Sequence, residues 1–143
     1  RELSGEIDAL KFLRFITSAA ARVSQLINYK AMAEDADITQ NTAKRWLNIL
    51  ETLGIVFQLH PYSNNVLKRT IKTPKLYFYD TGLVCYLTKW SSPEVAEAGA
   101  MNGALLENFT VSEIIKSYQN AGLEPFLHYY RDRDDKEIDI ILE

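Results

Sequence analysis

The pattern of apolar and polar positions divides the chain into a helical front part, two pairs of extended segments and one long later helix. From residue 6 to about residue 21, Ile7, Leu10, Leu13 and Ile16 recur every three positions with Phe12 and Phe15 beside them, which predicts a well-buried amphipathic helix. Asn28 offers a cap for a short helix ending near Ala36, and residues 36–40 form a brief polar turn. A third helix follows, with Ala43, Trp46, Leu47, Leu50 and Leu53 on one stripe. Gly54 stops it, as a residue able to take positive φ should. Two helices joined by a short turn, the second longer, match the helix-turn-helix pattern.

After Gly54 the period changes from helical to extended. Residues 55–60 run apolar into Pro61 and residues 76–79 begin after Pro74, so the two segments read as paired strands. Their connection carries Asn64, Asn65, Lys68, Arg69, Lys72 and Lys75, and a basic hairpin directly after the third helix turns a helix-turn-helix into a winged helix. Residues 80–87 predict a short closing helix. Residues 90–101, with Ser91, Ser92 and Pro93, read as a linker or a loosely helical crossing. Gly103 opens a strong helix to about Asn120, with Leu105, Leu106, Phe109, Ser112 and Ile115 on one stripe and Gly122 as its stop. A strand at 125–131, a charged turn at 132–136 and a last strand at 137–143 complete the chain. The expected class is α+β: a winged helix over residues 1–88, then an α/β unit over residues 89–143. One helix and two strands cannot bury both faces of a sheet, so this second unit is expected to be incomplete and to continue beyond Glu143.

Composition sharpens this division. The apolar fraction of 47% suffices for a globular core, while no apolar run approaches a membrane span and residues 1–8 do not form a signal-peptide core. The expected compartment is the cytoplasm, with no membrane partner. Cys85, the single cysteine, sits in an apolar stretch and reads as a small core residue. The net charge of -3 conceals an asymmetry: residues 1–88 hold eleven Lys and Arg against eight Asp and Glu, whereas residues 89–143 hold five against eleven. The first unit could approach an anion. The second would repel one unless a metal ion neutralised its carboxylates.

Candidate chemistry follows the same split. Gln40, Asn41, Thr42, Lys44, Arg45 and Asn48 supply side chains for base edges and phosphates of DNA, and Lys68, Arg69, Lys72 and Lys75 add phosphate contacts. The alternative is an ordinary amphipathic helix with a solvated outer face, or a winged helix that binds protein, since a charge of +3 is well short of a dedicated DNA binder's footprint. In the last strand Ile138, Ile140 and Leu142 alternate with Glu137, Asp139 and Glu143. An aspartate in an apolar strand calls for a partner such as a divalent cation, unless the acidic face is simply exposed, which is the more ordinary case. His60 and His128 lack ligands at metal spacing and read as structural; neither a Walker-type glycine loop nor a Ser-His-Asp arrangement is present.

Several separate motifs recur in order. Gly54-Ile55-Val56-Phe57-Gln58-Leu59, Lys68-Arg69, Pro74-Lys75-Leu76-Tyr77-Phe78-Tyr79-Asp80-Thr81-Gly82-Leu83, Gly103-Ala104-Leu105-Leu106-Glu107-Asn108-Phe109 with Glu113, and Tyr130-Arg131-Asp132 with Glu137-Ile138-Asp139 together resemble the C-terminal uncharacterised-function domain of prokaryotic AAA-type P-loop ATPases. The resemblance implies an N-terminal ATPase domain that binds ATP, then a winged helix, then a region similar to PD-(D/E)-x-K restriction nucleases. It also implies a Mg²⁺ site in which Glu107 or Glu113 supplies the helix carboxylate and Asp139 the strand carboxylate. The Glu-x-Lys that should follow Asp139 is missing, and so are the ATPase motifs. The leading expectation is therefore a non-catalytic C-terminal fragment that holds no cofactor itself and whose winged helix docks DNA or a partner protein. The competing expectations are a metal-dependent endonuclease module seen incomplete, and a protein-binding adaptor, which the acidic pI of about 5.5 favours. No oligomeric state follows from the sequence.

Overall fold

The structure, a computed structural model, describes residues 8–62, 72–89, 101–125, 127–131 and 137–142, with residues 130, 131 and 137–142 at backbone level. Three helices come first, each started by a polar cap. The Asp8 carboxylate accepts from the N–H groups of Leu10 and Lys11 to open α1 (Ala9–Ala21). Asn28 accepts from the Ala31 N–H to open α2 (Tyr29–Ala36), and Thr39 accepts from the Thr42 N–H to open α3 (Gln40–Thr52). Such caps satisfy backbone donors that would otherwise have no intrahelical partner. Gly54, at φ 74, turns the chain out of α3 as its position predicts.

The core under these helices is aromatic and alanine-rich. Trp46 packs against Phe12 and Phe15 with ring centroids 5.3 and 5.8 Å apart, while Ala19, Ala20, Ala33, Ala36 and Ala43 are buried around it. This differs from the stripe predicted for α1. Leu10 and Leu13 are 57% and 53% exposed, because α2 and α4 close on the face of α1 that carries Phe15 and Ala19. Ile7, the first member of the predicted stripe, lies outside the described residues. Leu53 is likewise exposed, at the end of α3.

Strands β1 (Val56–Leu59) and β2 (Lys75–Phe78) pair antiparallel, with Val56 opposite Phe78 and Leu59 opposite Lys75. A third extended segment, which the sequence pattern did not reveal, lies on the other edge of β2. Ser24 N–H donates to the Leu76 carbonyl, Leu76 N–H to that of Gln25, and Ile27 N–H to that of Pro74. β2 is thus central, and all four of its residues are buried. The Asp80 side chain then caps α4 (Thr81–Thr88).

Helix α5 (Asn102–Asn120) lies across β2. Its buried positions are Leu105, Asn108, Val111, Ser112 and Ile115, while Leu106 and Phe109, predicted to be inside, are 64% and 53% exposed. The register follows from Asn108, which is fully buried. Its amide oxygen accepts from the Phe78 N–H, and its nitrogen donates to the Phe78 carbonyl and the Thr81 hydroxyl. Satisfying a buried amide this completely fixes the rotation of the helix on the hairpin. Strands β3 (Leu127–Arg131) and β4 (Glu137–Leu142) form a second antiparallel pair with an irregularity between His128 and Tyr130. It joins the first hairpin where Tyr129 N–H donates to the His60 carbonyl and Tyr62 N–H to the Tyr129 carbonyl. Phe57, Leu59 and Tyr77 consequently share one apolar cluster with Val111, Ile115, Leu127 and Tyr129. Residues 90–100 and 132–136, read from the sequence as linker and turn, lie outside the described residues. Among the described residues no helix is long and apolar enough to cross a membrane.

Candidate nucleic-acid interface

Because Ala43, Trp46, Leu47 and Leu50 point α3 into the core, the opposite side of that helix is set by geometry. Asn41, Lys44, Arg45 and Asn48, spaced i, i+3, i+4 and i+7, form one exposed strip, and Gln40 is exposed at its start. No carboxylate lies between Asn41 and Asn48, and the strip ends one turn later at Glu51. Glu51, the only acid on the helix, is half-buried and accepts a hydrogen bond from Gln58 at 2.8 Å. Lys44 lies 5.7 Å from the centre of the Tyr29 ring, which restrains its stem while leaving the ammonium in solvent. Burial, and after it the Glu51 charge, pushes the Tyr29 phenol above its usual value, so this ring stays neutral beside Lys44.

Two of the predicted DNA contacts have other work. Thr42 belongs to the helix cap, where its hydroxyl accepts from that of Thr39 at 3.0 Å. Lys75 is buried, which corrects its assignment as a phosphate contact. Its ammonium pairs with Glu107 at 2.8 Å and lies 5.5 Å from the Tyr129 ring centre. The physical reason is its place on the central strand, where both faces are covered. Lys72, three residues earlier, is exposed. Lys68 and Arg69 lie outside the described residues.

The carboxylates sort just as plainly. Glu107 also accepts from the Tyr77 hydroxyl at 2.5 Å, so it serves as the counter-charge of a polar cluster between β2 and α5. The Tyr129 hydroxyl, bonded to the Thr73 carbonyl, closes one side of that cluster. Glu113 is exposed and pairs with Lys116 at 3.0 Å. Six positions apart on a helix, Glu107 and Glu113 leave from different faces. Either was expected to pair with Asp139, and among the described residues no group of three or more His, Cys, Asp or Glu could hold a metal ion. The Asp139 backbone lies in β4, and its side chain is outside the described residues. Glu107 is thus engaged by an ammonium and a phenol, and Glu113 by an exposed lysine. His60 is exposed, and His128 is half-buried with its ring 6.1 Å from that of Tyr62.

Residues 1–94 match the family described as Domain of unknown function (DUF8612). The chain belongs to that family. The DUF8612 match contains α1 to α4 and the first hairpin, hence the whole exposed strip on α3. From α5 onward, residues 102–143 match a second description, Domain of unknown function (DUF4143). Over 143 residues the chain is 32% identical to uncharacterized protein Rv2008c of Mycobacterium tuberculosis (strain ATCC 25618 / H37Rv), a match covering 99% of this chain and 31% of that protein. The same figures hold for uncharacterized protein Mb2031c of Mycobacterium bovis (strain ATCC BAA-935 / AF2122/97). The chain thus spans about a third of the length of the curated relatives it matches. No solved structure matches it.

Proposed function

We propose that residues 1–88 are a winged helix that docks duplex DNA through α3, in a chain that forms the C-terminal segment of a larger AAA-type ATPase and is itself non-catalytic. The order α1, extended segment 24–27, α2, α3, β1, β2 supports the first part, since a winged helix adds a small sheet of this kind to its helix-turn-helix. The observation that carries the reading is the strip Asn41, Lys44, Arg45 and Asn48. It holds two cations and two amides, able to meet phosphates and base edges, and Glu51, the acid that follows one turn after Asn48, is bonded to Gln58. The larger context rests on the DUF4143 match, a domain often found at the C-termini of AAA ATPases, and on the motifs quoted above. ATP would bind in that other domain, outside these residues.

Fluorescence anisotropy of a labelled DNA duplex, measured over a salt series, tests the reading. Each phosphate met should contribute about -0.9 to the slope of log affinity against log salt, so Lys44 and Arg45 together predict a slope near -1.8 or steeper. Weak binding with no salt dependence, or none at low salt, would overturn it.

A further inference from the structure

A second surface carries an inference independent of the α3 reading. On the far side of α1 from the Trp46 core lies an open groove of about 690 Å³, walled by Leu13, Arg14 and Thr17 of α1, Asp35 of α2, and Tyr86 and Leu87 of α4, with Lys89 at its end. None of its described lining residues belongs to α3, β1 or β2. Its apolar content is out in solvent: Leu13 is 53% exposed, Tyr86 is 79% exposed, and Leu10, one turn before Leu13, extends the patch. Large apolar side chains gathered in this way mark a contact surface more often than chance.

The charges say what fits. Asp35 is already answered, since its carboxylate accepts from the Ser18 hydroxyl at 2.7 Å and from Arg22 at 3.0 Å. Arg14 and Lys89, in contrast, have no ion-pair partner among the described residues. The groove therefore offers an apolar floor, supplied by Leu13, Ala21 and Leu87, beneath two unanswered cations. We infer that it receives an amphipathic helix of a partner protein, whose apolar stripe covers Leu13 and Tyr86 and whose flanking carboxylates pair with Arg14 and Lys89. Neighbouring helices supply each other with apolar ridges at i, i+3, i+4 and i+7, and opposite charges at the rim set the orientation.

The probe is a fluorescein-labelled designed helix of about five turns, with leucines on one stripe and glutamates beside them, titrated with the full chain. A second peptide carries lysines in place of the glutamates. The expected result is binding of the acidic peptide about tenfold tighter than the basic one, and reversal of that preference in the variant Arg14→Glu/Lys89→Glu. Leu13→Ala/Tyr86→Ala, which alters exposed side chains, should weaken the acidic peptide without changing the circular dichroism of the chain. On the unaltered chain, NMR shifts caused by the acidic peptide should fall on α1 and α4 and spare α3. Equal binding of both peptides, a preference that survives the charge reversal, or shifts confined to α3 or α5 would overturn the inference. So would self-association of the chain, seen by sedimentation and lost in Leu13→Ala/Tyr86→Ala, with no peptide binding.

Discussion

Lys44 and Arg45 on α3 carry the same charge as Lys75 on β2, yet the first two stand in solvent and the third is inside. The difference lies in what each element does in the fold. α3 is a surface helix with one buried stripe, so a cation placed off that stripe is exposed. β2 is the central strand of its small sheet: Leu76 and Phe78 face the helical core, while Tyr77 belongs to the cluster under α5 and Lys75 reaches Glu107 on that same helix. A cation there must find a counter-charge, and it finds one 32 residues later. Charge counted along a chain is therefore a poor guide to charge presented at a surface. The basic count of the first unit overstated its exposed charge by one lysine and left the Glu107 partner unseen.

The largest expected effect tests the platform beneath α3. Trp46→Ala should cost about 3 to 5 kcal/mol of stability, read as a drop in denaturant midpoint. Because the Trp46 Nε1–H has no hydrogen-bond partner among the described residues, its loss also removes an unsatisfied donor and favours the lower end. A midpoint equal to the parent's would place the tryptophan outside the core. Next comes the junction. Lys75→Met strands the Glu107 carboxylate beside Tyr77 and should cost roughly 2 to 4 kcal/mol, somewhat under the figure for a fully buried pair because Glu107 is about a quarter exposed. Adding Glu107→Leu should restore part of that loss. If the double variant were no more stable than the single one, the stranded charge would not be the cause.

The smallest effect belongs to the contact between α1 and α2. The Ser18 hydroxyl, and then Arg22, hold the Asp35 carboxyl below the usual carboxylate range. A depressed value means stability that is present above the ordinary carboxylate range and lost as pH falls through the lowered value. Asp35→Asn should therefore cost up to about 1 kcal/mol near neutral pH, given its exposure, and the gap should close in acid. Melting curves of both proteins from pH 7 down to pH 3 would show it. A gap that grows on acidification has the wrong sign for this contact.

Most element boundaries were legible in the sequence because they rest on local chemistry. Asn28 and Gly54 act where their types predict, and the change from helical to extended period after Gly54, bounded by Pro61 and Pro74, suffices to pair β1 with β2. The facing of α1 and α5 was not legible. Both helices carry more apolar residues than one stripe holds, so Leu10 and Leu13, or Leu106 and Phe109, looked as suited to the interior as Ala19 or Val111. What decides between them is tertiary: small alanines let α2 approach α1, and the Asn108 amide reaches the backbone of Phe78. The segment 24–27 was missed because four residues with a non-glycine at positive φ, Ser24, show no strand period. Helical spacing alone suffices to put Asn41, Lys44, Arg45 and Asn48 on the exposed side of α3, whereas Thr42 and Lys75 depend on contacts that spacing cannot reveal.

The central claim is that the exposed cations of α3, and not the buried lysine of β2, meet DNA. Two variants compared side by side test it: Lys44→Glu/Arg45→Glu, which keeps the core, and Lys75→Met/Glu107→Leu, which keeps the surface strip. With folding of each checked by circular dichroism, affinity for the labelled duplex is measured across salt. The account predicts that the first loses at least about tenfold in affinity and that its salt slope becomes shallower by about 1.8, while the second stays near the parent. Equal losses in both variants, or none in the first, would contradict it.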